Sequence, residues 1–350
     1  MDGVARIVER LVDAGVRRSD LAASARSLAR EEAPLRPSAD AEALGALVGL
    51  GPLEPLLADD SVSDVLVNGP DDVWVERSGV LEPVDVAFPD AQAVVAMVER
   101  VVSPLGLRID RASPAVDARL PDGSRLHALI PPASVTGPVV AIRRFTSAVR
   151  DLDGLVRTGT ATEEAAAMLR GLVADRANLL VCGGTGAGKT TLLDALLGET
   201  GGGERIVTVE DAAELHPGPH AVRLEGRPPN AEGVGEITLR VLVRHALRLR
   251  PDRIVVGEVR SGEALDLIQA MSTGHAGSMG TVHANGPAEA MWRLETLALT
   301  GDGAPAPEAI RRQLWSAVDA IVHVERRGAG RRVATIADVE EGDLCERGAW

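Results

Sequence analysis

Nine consecutive residues, Gly183-Gly184-Thr185-Gly186-Ala187-Gly188-Lys189-Thr190-Thr191, have the types and spacing of a phosphate-binding loop, G-x-x-x-x-G-K-[ST]. Glycines let the backbone turn its N–H groups inward as an anion nest, and a helix N-terminus behind them adds partial positive charge. Lys189 would reach the β- and γ-phosphates of a nucleoside triphosphate, and the Thr190 hydroxyl would ligate Mg²⁺. Lys189 is also the only lysine in the chain; the other 36 basic residues are arginines. A compact ammonium kept where every other cation is a planar guanidinium points to a specific ligand. ATP and Mg²⁺ are the expected cofactors.

Three further stretches carry polar groups where a buried strand would not tolerate them. The first is Thr208-Val209-Glu210-Asp211, with Glu214 one turn later. The second, Val255-Val256-Gly257-Glu258-Val259-Arg260, is an apolar run ending in an acid, the Walker B logic of Mg²⁺ coordination or water activation. Gly257 stands where an aspartate is usual. The third is Thr273-Gly274-His275, followed by residues 277–285 with His283 and Asn285. Taken singly, such acids serve equally as helix caps or surface charges, and such histidines as packing residues. Following a phosphate loop in one alternating series, they read as a catalytic set.

The elements that must position these groups are visible as patterns. Residues 178–182 form an apolar run ahead of the loop, and 191–197 have helical composition stopping at Gly198. Strands at 205–210, 253–258 and 278–283 alternate with helices near 162–176, 239–249, 263–271 and after Pro287. That order predicts an α/β domain, a RecA-like mostly parallel sheet covered on both faces, with phosphate chemistry at the carboxyl ends of the strands. Before it, residues 64–68, 73–76, 80–84, 116–120, 125–130 and 139–144 read as short strands around turns, with a helix over 91–102. This is a smaller α+β domain. Residues 1–34 show helical spacing broken at Gly15 and Ser19-Asp20. The expected divisions are a helical segment 1–34, the α+β domain 35–145, a hinge 146–158, the ATPase domain 159–340 and a surface tail 341–350.

At 350 residues the chain is long enough for two cores. Its formal net charge of −14 makes it a poor generic ligand for nucleic acid. With two Phe, four Trp and no Tyr, it also lacks the usual stacking platforms for single strands. No apolar run reaches the length of a membrane span, and the N-terminus has no signal-peptide pattern. The two cysteines, Cys182 and Cys345, suit a reduced cytoplasmic protein and cannot make a tetracysteine zinc site.

The series G-G-T-G-A-G-K-T-T, T-V-E-D-A-A-E-L, R-P-D-R-I-V-V-G-E-V-R and T-G-H-A-G-S-M-G-T-V-H-A-N resembles the type II/type IV secretion ATPases over about residues 45 to 340. Those families call the four elements Walker A, Asp box, Walker B and His box, and their Walker B ends in Gly-Glu. Leu50-Gly51-Pro52-Leu53-Glu54-Pro55-Leu56, Arg227-Pro228-Pro229-Asn230 and the stretch 257–266 resemble the Tad/Flp-pilus (CpaF-like) branch. The VirB11-type conjugation ATPases share much of this pattern and are the alternative. The resemblance implies a homohexameric motor driving pilus assembly or secretion, with ATP bound between an N-terminal and a RecA-like domain. It also implies polytopic inner-membrane partners and a cytoplasmic protein peripheral to the inner membrane, and the acidity and few aromatics make nucleic acid an unexpected partner. It assigns Glu210 to the attacking water, Glu258 to Mg²⁺ and His283 to sensing the γ-phosphate, though the two acids could exchange roles. Arg125 and one of Arg143 and Arg144 would approach the γ-phosphate, unless they pair with local acids such as Asp117 or Asp122. Two other classes remain: a nucleic-acid translocase, disfavoured by the acidity, and a non-hydrolysing switch, disfavoured by Glu210, Glu258 and His283.

Overall fold

The computed structural model describes all residues except 1–2, 15, 17–19, 78, 121, 145–150, 230–231, 302, 329 and 341. The chain divides into two compact units, Met1–Thr146 and Ser147–Trp350.

The first unit begins with helices α1 (Gly3–Asp13), α2 (Leu21–Glu32) and α3 (Ala39–Val48). They share a core of Ile7, Leu11, Ala25, Ala39 and Ala43. The helical segment therefore runs to residue 48 rather than ending at 34. Ala39 and Ala43, four residues apart, fall on one helical face and complete the core that the first two helices leave open. The expected break at Gly15 and Ser19 lies outside the described residues. A short α4 (Glu54–Ala58) leads into β1 (Val62–Gly69), β2 (Asp72–Arg77), β3 (Val80–Pro83), α5 (Ala91–Val102), β4 (Ala115–Arg119), β5 (Arg125–Leu129) and β6 (Val139–Arg143). The six strands form an antiparallel sheet in the order β3-β2-β1-β6-β5-β4. Val65, Val67, Val75, Leu126 and Ile142 face Val94, Met97, Val98 and Val102 of α5, the alternation expected of a sheet with one covered face.

The second unit opens with α6 (Leu152–Arg157), which falls inside the expected hinge. Asp151 caps this helix, and Leu152 and Leu155 are buried in the unit's core, so residues 152–157 belong to the folded body. The rest of the hinge, 146–150, lies outside the described residues. Then come α7 (Glu163–Ala174), β7 (Leu179–Gly183), α8 (Lys189–Gly198), β8 (Ile206–Glu210), β9 (Ala221–Glu225), α9 (Leu239–Ala246), β10 (Arg253–Val259) and α10 (Glu263–Ser272). The chain ends through β11 (Met279–His283), α11 (Pro287–Leu299), α12 (Pro307–Ala317), β12 (Ala320–Arg327), β13 (Gly330–Glu340) and β14 (Asp343–Ala349). Eight strands form one sheet ordered β14-β13-β12-β7-β11-β10-β8-β9. The six from β12 to β9 run parallel; β13 pairs antiparallel with β12, and β14 antiparallel with β13. The expected surface tail is thus mostly strand β14, held on β13 by a backbone ladder.

Helices α6, α7 and α8 cover one face of this sheet, and α9 to α12 cover the other. Buried on both faces, β7 and β8 carry no exposed residue, which is why they read as continuous apolar runs. At the amino ends of the strands, Asn178 ties three segments together. Its Nδ2 donates to the carbonyls of Met271 (3.3 Å) and Ala317 (2.8 Å), and its Oδ1 accepts from the N–H groups of Gly277 and Ser278 (3.0 and 3.1 Å). All four bonds are buried, so Asn178→Leu strips a partner from four polar groups, of which the Ser278 N–H keeps a second, longer bond to the His275 carbonyl (3.3 Å). It should destabilise the second unit by about 2–4 kcal/mol. Urea unfolding followed by circular dichroism measures this, and an unchanged midpoint would contradict it.

Candidate nucleotide-binding and catalytic site

β7 delivers the glycine loop and α8 receives it. Gly183 sits in a central strand, and a Cβ there would stand 2.3 Å from the Val324 carbonyl oxygen of β12. Gly186 (φ 70°) and Gly188 (φ 98°) take left-handed conformations that a side chain would strain, and these turn the loop into the helix. Lys189 Nζ donates to the carbonyls of Gly183 (3.1 Å) and Gly184 (3.0 Å). Burial lowers the Lys189 pKa, while the nearby Glu258 carboxylate opposes that shift. Thr190 and Thr191 follow in the first turn of α8, half-buried. The glycine loop thus lies between β7 and α8, with the Lys189 ammonium folded back onto its first two carbonyls.

The acids come from two parallel strands that lie side by side. Glu210, at the end of β8, is buried (2 %). Its Oε1 accepts from the N–H groups of Glu214 (2.8 Å) and Leu215 (2.9 Å), whereas Oε2 is buried with no hydrogen-bond partner. Burial pushes this carboxyl up to about 7, against the two N–H groups and the Arg223 charge. A Cβ on Gly257 would stand 2.9 Å from Glu210 Cγ. Glycine replaces the usual aspartate because Glu210 packs against that backbone. Thr281 of β11 donates to the Gly257 carbonyl from the other side (2.7 Å). Glu258 is more exposed and accepts from Arg260 (2.6 Å), which also pairs with Asp211 (3.2 Å). His283 ends β11 in register with Gly183, exposed beside the loop. Its companion His275 precedes β11, at the opposite end of the strand, where its ring meets the Ala270 carbonyl (3.3 Å).

Sequence reasoning missed one support. Asp194 of α8 is buried and accepts from the His216 N–H (2.6 Å) and from its ring Nδ1 (3.0 Å). This fastens the segment after Glu210 to the helix that follows the glycine loop. The signal was a single acid inside the apolar run Leu192-Leu193-Asp194-Ala195-Leu196-Leu197, a charge that burial obliges to find a partner.

The arginines of the first unit separate into two groups. Arg119, Arg125 and Arg143 stand directly opposite one another across β4, β5 and β6, with Asp64 of β1 next in the row. Asp64 accepts from Arg143 Nε (2.9 Å). The local acids considered above are otherwise engaged: Asp117 with His127 (2.7 Å) and Asp122 with Ser124. Arg144 does not join this row. It is largely buried, donates to the Val62 carbonyl (2.9 Å) and the Asp59 carbonyl, and pairs with Asp60 (3.2 Å). Its guanidinium anchors the entry to β1.

Among the described residues no group of three or more His, Cys, Asp or Glu could cage a metal ion. No helix among the described residues is long and apolar enough to cross a membrane.

The family described as "Type II/IV secretion system protein" matches residues 46–334. The chain belongs to this family. It is a P-loop ATPase with an α/β fold. A "Putative conjugal transfer protein" of Mycobacterium tuberculosis (strain ATCC 25618 / H37Rv) is 47% identical over 305 residues, covering 85% of this chain and 86% of that protein. "Type IV secretion system protein VirB11" of Brucella suis biovar 1 (strain 1330) is 31% identical over 319 residues, 82% and 88% of the two chains. The Legionella pneumophila ATPase DotB shares the fold, with a TM-score of 0.58 and 18% identity over 83% of this chain and 80% of that one.

The buried carboxyl gives a signed prediction. Glu210 is raised from an ordinary 4.5 to about 7, so the folded state holds a proton that the unfolded state has lost between those values. Stability contributed by this group is therefore present at low pH and lost as pH rises through that window. Glutamine carries no such penalty. Glu210→Gln should gain on the wild type by on the order of 1–3 kcal/mol between pH 5 and pH 8. Parallel stability–pH curves for the two proteins would refute the assignment.

Proposed function

We propose that the chain is a VirB11-like ATPase of a conjugal-transfer or type IV secretion apparatus, hydrolysing ATP as a homohexamer against inner-membrane partners. Its place is the cytoplasmic face of the inner membrane. The observation that carries the reading is the convergence of Lys189, Glu258 and His283 at the carboxyl ends of β7, β10 and β11. Glu210 ends the next strand, β8, behind Gly257. The relatives named for conjugal transfer and VirB11 favour this assignment over the Tad/Flp-pilus branch that the motifs also resemble.

Residues 183–191 bind the phosphates through N–H groups and the Lys189 ammonium. Thr190 and Glu258 would hold Mg²⁺, which neutralises phosphate charge when bound. Glu210 is the general base. Its carboxyl near pH 7 and its unpartnered buried Oε2 suit taking a proton from water at neutral pH. Glu258, more exposed and paired with Arg260, is the acid placed nearer Lys189 and suits the metal-holding role. His283 reads the γ-phosphate from the end of β11. Arg125 and Arg143 are assigned, from the family resemblance, to stabilising charge on the transferring phosphoryl group.

Lys189→Ala should abolish ATP turnover while circular dichroism and melting stay close to wild type, since the substitution removes only the cation facing the phosphates. Near-normal turnover would end the nucleotide reading. Glu210→Gln should keep ATP bound and hydrolyse it about 100-fold more slowly. Loss of binding with unchanged hydrolysis per bound ATP would deny Glu210 a chemical role.

The arginines allow a sharper comparison. Arg143→Ala should lower kcat about 100-fold with little effect on melting temperature. Arg144→Ala should instead lower the melting temperature, because it removes a donor from the Val62 and Asp59 carbonyls together with the pairing to Asp60. The reverse pattern would exchange their roles.

A further inference from the structure

The β12–β13 hairpin carries four arginines at its tip, and the strands sort them onto two faces. Glu325 lies opposite Arg332, and Arg326 lies opposite Arg331. On the first face Glu325 accepts from both Arg332 (2.7 Å) and Arg327 (2.8 Å). On the second face, two guanidinium groups stand directly across from each other with no carboxylate between them, an arrangement that costs stability in an antiparallel pair. Alternation along β12 puts Arg326 on the same face as Val322 and Val324, which pack in the core that includes Leu192, Leu193 and Leu196 of α8. This face is the one from which α8 rises.

Register places the pair beside the glycine loop. Val324 is level with Gly183, the last residue of β7, so Arg326 extends two residues past the end of that strand. Arg331 Nε donates to the Gly186 carbonyl (3.1 Å), and a Cβ on Gly188 would stand 3.1 Å from Arg331 Cδ. A Cβ on Gly186 would lie 3.9 Å from an Arg326 terminal nitrogen. Each guanidinium has five donors. Arg331 spends its Nε on Gly186 and Arg326 its Nε on Gly328 (3.1 Å), leaving the terminal nitrogens of both beside the loop.

We propose that Arg326 and Arg331 bind the polyphosphate of the nucleotide as a second cation pair, contributing contacts common to ATP and ADP. The inference rests on the nucleotide reading above. Strand order supplies the distinction from the catalytic acids. β12 borders β7 on one side, whereas β10 and β8, which carry Glu258 and Glu210, lie beyond β11 on the other. The hairpin therefore approaches the phosphate chain from the flank away from the hydrolytic groups. Its contribution belongs to affinity for di- and triphosphate alike. An anion between the two guanidinium groups also relieves their mutual repulsion, which the same strands leave uncompensated.

The test uses the full chain, with ADP and a non-hydrolysable ATP analogue titrated calorimetrically at two salt concentrations. Arg326→Ala/Arg331→Ala should weaken both ligands by about tenfold or more and by similar factors, and should flatten the salt dependence of binding. In steady-state hydrolysis the loss should fall on KM more than on kcat. Arg331→Lys should recover part of the affinity and guards against misfolding of the double variant. Arg327→Ala, on the opposite face, should bind like wild type. Unchanged affinity in the double variant, loss confined to the ATP analogue, or an equal loss in Arg327→Ala would each overturn the proposal. A wild-type chain that binds neither nucleotide would remove the nucleotide reading beneath it. Wild-type binding with unaffected variants would remove this inference alone.

Discussion

The second unit depends on how closely β7 is held between its two parallel neighbours. At Gly183 the backbone of β12 comes so near that any side chain would strike the Val324 carbonyl oxygen. That contact fixes the end of β7 level with Val324 on one side and His283 on the other. Parallel pairing then puts every strand's carboxyl end on the same edge, and the helices that return the chain must cover both faces. The proposed catalytic acids and His283 need no separate device to bring them together. They occupy the last positions of strands whose register is already set by apolar packing.

Within that frame, two glutamates of the same chemistry receive different environments. Glu210 is enclosed behind Gly257 and keeps one oxygen without a partner, so burial outweighs its two N–H bonds and raises its pKa to about 7. Glu258 is more exposed, pairs with Arg260 and lies near Lys189. One carboxyl is enclosed and the other is held in an ion pair near the surface. From sequence alone the two acids were interchangeable, because their difference lies in what surrounds them. Gly257, an oddity in the motif, is the residue whose missing side chain makes the enclosure possible.

What was legible followed from how strongly each element is constrained. The strands of the parallel sheet are buried on both faces, so 178–182, 205–210 and 253–258 showed as apolar runs ahead of polar ends. The small sheet showed through alternation and turns. Elements with weaker burial were lost. Strand β9 is half-exposed along its length, and β14 is largely exposed and mixes charge with small residues. Helix α3 is rich in Ala and Gly, so its identity rests on packing against α1 and α2 rather than on pattern. Register was the deeper loss. Arg125 and Arg143 appeared as separate candidates, yet pairing puts them in one row with Arg119 and separates Arg144. The same holds for Arg326 and Arg331, whose opposition across a turn exists only once the hairpin is paired.

The segment after Glu210 shows how these groups become interdependent. Asp211 is held by Arg260, the N–H groups of Glu214 and Leu215 by Glu210, the Ala213 carbonyl by Arg223 (2.8 Å), and His216 by Asp194 of α8. Nearly every anchor of this segment is charged, and Arg260 also holds Glu258, whose charge acts on Lys189. A phosphate at Lys189 therefore acts on a network in which that lysine, Glu258, Arg260 and Asp211 are linked in series. Because such contacts strengthen one another in a partly buried setting, a change at one end alters the balance along the chain. The Asp194 bond closes the circuit by tying the far end of the segment to the helix that begins at Lys189. The segment bearing the buried Glu210, the proposed base, is thus positioned by the same charges that a phosphate at the proposed site would meet, which is a physical route by which binding could set the geometry for hydrolysis.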